Sequence, residues 1–137
     1  MAFTGPFEDR LALHELVLSY ADAITVRDGA AWKALWAEDS EWRLPLIPGM
    51  ECIQGREAIY EAWQAAMKDF PEMVGTASLG MLEVSGDTAI GRAYPRELII
   101  NPDGTTRTDY GRYDDAYVKQ DGVWLFKSRA HSILYSG

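Results

Sequence analysis

MVGTASLGMLEVSGDTAIGRAYPRELIINPDGTTRTDYGRYDDAYVKQDGVWLFKSRAHSILY, residues 73–135, divides into four long strand-like runs. They are Met73 to Val84, Thr88 to Ile100, Thr105 to Lys119 and Val123 to Tyr135. The separators are Ser85-Gly86-Asp87, Asn101-Pro102-Asp103-Gly104 and Gln120-Asp121-Gly122, and each holds Gly and Asp together. Gly adopts positive φ freely and Asp bonds to its own backbone, the chemistry that hairpin turns require. Four strands in hairpin succession predict an antiparallel meander.

Upstream the period changes. Leu13, Leu16, Val17, Tyr20 and Ile24 recur at offsets 0, 3, 4, 7 and 11, a one-sided helical stripe that follows Pro6 and ends at Arg27-Asp28-Gly29. Ala30 to Ala37 reads as a short second helix carrying Trp32, Leu35 and Trp36. Glu41 to Leu46 reads as a short strand stopped by Pro45 and Pro48. Gly55 to Phe70 predicts a third helix with Ile59, Trp63, Ala66 and Met67 inward, ended by Pro71. No linker or repeat interrupts the chain, so residues 1–137 are expected to form a single domain. Three helices followed by four long strands predict an α+β fold, a cone with the helices on one face of a curved antiparallel sheet.

The 137 residues are 47% hydrophobic and 12% aromatic, enough to build a core and its pocket. Thirteen Lys and Arg against 21 Asp and Glu give a net charge of −8, with no basic cluster. That balance argues against nucleic-acid and anionic-membrane partners. No apolar run approaches a bilayer span, and the N-terminus MAFTGPFEDR lacks a secretory pattern; a cytoplasmic location is expected. Cys52 stands alone, excludes an internal disulfide and is expected to be a buried small hydrophobe. His14 and His131 lack zinc-ligand spacing, and no nucleophile elbow, P-loop or dinucleotide fingerprint occurs. The expectation is chemistry without metal or cofactor, carried by Asp, His, Tyr and Arg.

Alternation places those residues. The last strand puts Lys127, Arg129, His131, Ile133 and Tyr135 on one face, opposite Trp124, Phe126 and Ser128. The strand before it groups Arg107, Asp109, Gly111, Tyr113, Asp115 and Tyr117, and the preceding one groups Tyr94, Arg96 and Leu98. Folding the hairpins at their turns sets Asp109 near Leu98 and diagonal to Arg96, with Tyr113 close to His131 or Arg129. One cavity wall would then hold Arg96, Asp109, Tyr113, Arg129 and His131. A register slip of one residue would reverse any of these faces. Tyr20 can point its hydroxyl into the same space, while Trp32, Trp36, Trp42 and Trp63 are core residues first and pocket wall second. His14 lies off the apolar stripe and is expected at the surface.

The phrases L-x-x-x-Y-A-D-A (Leu16 to Ala23), W-K-A-L-W-A-E-D-S-E-W (Trp32 to Trp42), I-Q-G-R-E-A-I (Ile53 to Ile59) and G-R-Y-D-D-A-Y-V-K-Q-D-G-V-W (Gly111 to Trp124) resemble the SnoaL-like group of the nuclear transport factor 2-like superfamily. The resemblance spans nearly everything from Arg10 to Tyr135 and implies a deep apolar cone, cofactor-independent catalysis and a homo-oligomer (dimer or trimer). Dehydratase-like and dehydrochlorinase-like members use an Asp near the end of the first helix and a His early in the first long strand. The matching places here hold Thr25 and Met73, so the usual dyad is absent. The arginine of the last strand matches Arg129 and supports turning 129 and 131 toward the cavity.

These readings converge on His131 as a relocated general base, assisted by Asp109, with Arg96 and Arg129 stabilising a developing anion and Tyr113 or Tyr20 donating a hydrogen bond. Tyr20, Thr25, Trp42, Met73 and Tyr94 are the expected substrate-binding residues. The expected substrate is small, apolar and aromatic, and the expected reaction is lyase chemistry: dehydration or retro-aldol cleavage of a phenylpropanoid-like diol. Epoxide hydrolysis with Arg96, Asp109 and a second carboxylate (Asp22 or Asp115) is one alternative. A polyketide cyclase-like isomerase and a non-catalytic ligand-binding domain are the others.

Overall fold

In the computed structural model, which describes residues 1–137, the stripe of Leu13, Leu16, Val17, Tyr20 and Ile24 is the buried side of a 20-residue helix, α1 (Phe7–Val26). A short strand, β1 (Phe3–Thr4), precedes it. Arg27 closes α1 in the left-handed conformation at φ 58°. Its guanidinium donates to the carbonyls of Met67 and Phe70, which ties the end of α1 to the third helix. Asp28 caps α2 (Gly29–Ala34) by accepting from the Ala31 N–H at 3.0 Å.

The second helix is shorter than its sequence pattern, and the strand after it starts earlier. Trp36 and Ala37 belong to β2 (Trp36–Arg43), where Glu41 to Leu46 had been expected. Trp32 and Trp36 keep a helical spacing, yet Trp36 pairs across the sheet with Phe126, and the Phe126 N–H donates to the Leu35 carbonyl at 2.8 Å. Sheet pairing with a distant strand overrides the local pattern. The short strand β3 (Ile53–Gln54) and α3 (Arg56–Lys68) follow.

The four long strands are β4 (Glu72–Ser85), β5 (Thr88–Ile100), β6 (Thr106–Gln120) and β7 (Val123–Ser136), joined as an antiparallel meander. The turn into β7 has Asp121 and Gly122 both at positive φ, 51° and 78°, as a primed two-residue hairpin requires. The whole sheet is mixed rather than antiparallel: its order is β1-β4-β5-β6-β7-β2-β3, with β1 parallel to β4 and β2 parallel to β7. It is curved, does not close, and carries the three helices, giving an α+β cone. No helix is long and apolar enough to cross a membrane.

Two register details decide which side chains enter the cone. Ile100 pairs with Thr106, leaving five residues between β5 and β6, so Asp109 stands opposite Glu97 and not Leu98. That single step turns Ala93, Pro95, Glu97 and Ile99 inward and Tyr94 and Arg96 outward. On β7, Tyr117 faces Phe126 while Ala116 faces Ser128, so the strand bulges at Lys127. The bulge resets the alternation: Trp124 and Phe126 are buried before it, and Arg129 is buried after it. Without it these residues could not share a face. Trp32, Trp36, Trp42 and Trp63 meet in the core, with Trp32 stacked on Trp63 at 4.9 Å.

Candidate active site

Between the helices and the inner face of the sheet lies a cavity of about 240 Å³. Its walls are mostly apolar: Ile24 from α1, Trp63 and Met67 from α3, Trp42 from β2, Met73 from β4 and Ile99 from β5. Its polar end is built by Tyr20, Glu97, Arg107, Asp109, Tyr113 and His131. A smaller annex of about 40 Å³ adjoins that end and shares Glu97, Asp109, His131 and Ile133 with the main cavity. An annex of that size admits a water molecule or a substrate hydroxyl.

His131 sits opposite Tyr113 in the β6–β7 ladder, with ring centroids 4.9 Å apart. Room for the imidazole comes from Gly111: a Cβ there would stand 2.7 Å from His131 Nε2. Burial and the nearby Arg129 guanidinium lower the His131 pKa below its ordinary value, against an opposing pull from Asp109. The ring is therefore neutral at pH 7, able to accept a proton. Asp109 takes Arg107 Nε and Nη2 at 3.1 and 3.2 Å and the Ser136 hydroxyl at 2.5 Å.

Arg129 turns to the inner face, as its parity suggested, but does not line the cavity. It is buried beneath the cavity floor, with Nε and Nη2 donating to Asp115 Oδ1 and Oδ2 at 2.8 and 3.1 Å. The Tyr117 hydroxyl donates to Asp115 Oδ2 at 2.7 Å, and the guanidinium lies against the rings of Tyr20, Tyr113 and Phe126 at 4.4, 3.9 and 4.3 Å. Burial disfavours its charge, but the Asp115 carboxylate more than offsets this. It does not line the cavity, so it acts on the site through Tyr20, Tyr113 and its field on His131. The two tyrosine hydroxyls stand 3.2 Å apart, and Trp42 Nε1 donates to Tyr113 Oη at 3.1 Å. Burial raises both phenol pKa values, keeping them neutral hydrogen-bonding groups.

The structure thus brings together His131, Asp109, Tyr113, Tyr20, Trp42 and Met73 around one space. It separates three others. Arg96 lies outside, its guanidinium over the Tyr110 ring at 5.3 Å, because the β5 register is one residue from the expected one. Tyr94 faces outward for the same reason. Thr25 turns to the backbone of β4: its hydroxyl oxygen accepts from the Gly75 N–H at 2.8 Å, stitching α1 to the sheet. Asp22 is exposed and Asp115 is bound to Arg129, so neither serves as the second carboxylate of an epoxide-opening site. Cys52 is exposed, not buried, in the segment before β3. His14 is exposed, as its place off the stripe implies.

The residue that sequence reasoning missed is Glu97. It lines both cavity and annex, directly across the β5–β6 ladder from Asp109. Burial and then the Asp109 charge raise its pKa to about 7, against the pull of Arg129 and Arg107. E-L-I-I (Glu97 to Ile100) offered the signal, an acidic residue leading an otherwise apolar strand end. No group of three or more His, Cys, Asp or Glu is arranged to hold a metal ion.

A family model for the SnoaL-like domain matches residues 6–130. No curated protein matches the chain in sequence. Among solved structures, LinA is 26% identical over 94% of this chain and 88% of its own, with a TM-score of 0.80. A provisionally assigned scytalone dehydratase from Novosphingobium aromaticivorans DSM 12444 is 22% identical, with 95% and 87% covered and a TM-score of 0.84. The hexachlorocyclohexane dehydrochlorinase LinA-type3 from Novosphingobium barchaimii LL02 is 21% identical, with 95% and 89% covered and a TM-score of 0.79. At such identities the last two show the same fold.

Proposed function

The chain belongs to the SnoaL-like domain family, and on that premise we propose that it is a cofactor-independent lyase acting on a small, neutral aromatic alcohol. The observation that carries the reading is a neutral imidazole at the polar end of an apolar cavity, beside two facing carboxyl groups. A cavity of about 150 Å³ accommodates benzene; one of about 240 Å³ suits a single substituted ring. The ring would lie among Trp42, Trp63, Met67 and Met73, with its hydroxyl-bearing side chain reaching His131 and the annex.

His131 would remove a proton from the carbon next to the ring or from a hydroxyl. In the first case water is lost; in the second a carbon–carbon bond opens in the retro-aldol sense and a small aldehyde leaves. Both fit a phenylpropanoid-like diol. Tyr113, held by Trp42 and Tyr20, orients the side chain. Burial, and then the charge of Arg129, keep the imidazole neutral, and Arg129 is a positioning residue here. The SnoaL-like family and the dehydratase and dehydrochlorinase named among its structural neighbours support chemistry on small molecules. Assembly into a homo-oligomer and a cytoplasmic location belong to the same proposal.

The test is a panel of aryl diols followed by mass spectrometry, looking for loss of water or release of an aldehyde. His131→Ala is expected to lower the rate by about 10²- to 10⁴-fold with the fold retained. Equal turnover by that variant overturns the mechanism. Thermal stabilisation by the diols without any turnover would instead identify a binding domain. One observation favours a second reading, epoxide hydrolysis: Asp109 and Glu97 border an annex large enough for a water, and Arg107 donates to Asp109 from the main cavity. Solvent ¹⁸O appearing in a diol product would establish it.

A further inference from the structure

Glu97 has no role in the family pattern that the sequence resembles, yet it is the carboxyl group nearest in register to Asp109 and shares the annex with His131. We propose that Glu97 is the acid of the reaction and that it delivers its proton to the departing oxygen while His131 takes one from carbon. This rests on the lyase reading, in its dehydrating form.

Three geometric facts support it. Glu97 and Asp109 are Cα partners on adjacent antiparallel strands with both side chains turned into the cone. Two carboxylates so placed repel, and one retains a proton. Asp109 is the one supplied with donors, from Arg107 and Ser136, which favours placing the charge there. Glu97 receives no such hydrogen bond; the groups acting on it are burial and the charges around it. Those groups are Asp109, Arg107 and Tyr113 on β6, Arg129 and His131 on β7, and Tyr20 on α1. On β4 its partner is Gly75, which brings no side chain. The result is a carboxyl group whose pKa of about 7 suits proton donation at neutrality.

The step balances without any co-reactant. The substrate's C–H bond breaks to His131, its electron pair forms the new C=C bond, and the C–O bond breaks. The oxygen leaves with the Glu97 proton as water. His131 is then protonated and Glu97 ionised, and proton exchange at the open annex restores both.

The inference predicts a bell-shaped rate profile. Its acid limb is His131 gaining a proton, below the ordinary histidine value; its alkaline limb is Glu97 losing one near pH 7. Glu97→Gln keeps the shape of the side chain but has no acidic proton. It should lower kcat by about 10²- to 10⁴-fold, leave KM within a few-fold and abolish the alkaline limb. Asp109→Asn should move that limb to lower pH. An alkaline limb that survives Glu97→Gln overturns the proposal.

A second measurement stands apart from turnover. Carboxyl ¹³C NMR of the wild-type protein, with Glu97 assigned by the Glu97→Gln variant, should show a midpoint near pH 7 that falls in Asp109→Asn. A midpoint in the ordinary glutamate range overturns the proposal even if diols are turned over. A midpoint near 7 in a protein that turns over none of them retains the neutral acid and rejects the lyase.

Discussion

Two neighbouring inward rungs of the β6–β7 ladder carry basic groups, and they end in opposite states. At Asp115–Arg129 the charges are paired: a two-point ion pair, a tyrosine hydroxyl on the carboxylate and three rings against the guanidinium. At Tyr113–His131 the imidazole lies against a ring and opens on the cavity, and Glu97, which lines the same space, has no side-chain hydrogen bond and a pKa raised to about 7. A saturated network holds the cone together. On the neighbouring inward rung, acidic and basic groups with fewer partners line the cavity and are the ones proposed to exchange protons with a substrate. Residue type does not separate structural from reactive charge; the supply of partners does.

The comparison breaks hardest at the closed rung. Arg129→Met leaves Asp115 buried without its cation and should cost about 3–5 kcal/mol in chemical denaturation. Adding Asp115→Asn should recover part of that loss. A single variant as stable as wild type would mean that this rung is not the anchor described.

A methyl group sharpens the contrast at the open rung. Gly111→Ala places a Cβ against His131 Nε2 and Pro95 Cγ, 2.7 and 3.1 Å away, so the imidazole must shift. Misplacement of about 1 Å is worth roughly 10²-fold in rate, while the crowding should cost about 1–3 kcal/mol of stability. Full activity in this variant would show that the position of the ring does not matter.

The smallest effect belongs to the outer face of the same sheet. Arg96→Ala removes an exposed guanidinium from above Tyr110 and should change stability by less than about 0.5 kcal/mol, with activity untouched. A large loss of turnover would return Arg96 to the site and refute the β5 register.

The errors of sequence reading follow one physical pattern. Asp109, Tyr113 and His131 were legible because period-two alternation is local and both ends of the last hairpin are marked by turn chemistry. Arg96 was mistaken for a cavity residue and Glu97 passed over because the five-residue connection between β5 and β6 sets a register that strand composition does not reveal. Trp36 looked helical until a distant partner, Phe126, claimed it for the sheet. Arg129 was placed on the right face but given the wrong task. Its pairing with Asp115 depends on two strands meeting in one register and on the burial of both side chains.

What the chain's order of residues determined alone was the helical stripe of α1, the four strand runs with their turns, and the set of groups available for proton transfer. Each depends on neighbours within a few positions, and backbone sterics enforce it locally. Tertiary structure alone decided the one-residue register of β5, the bulge at Lys127, and the raised pKa of Glu97. Those depend on hydrogen-bond ladders between distant segments and on desolvation, which exists only once the cone has closed over the groups it buries.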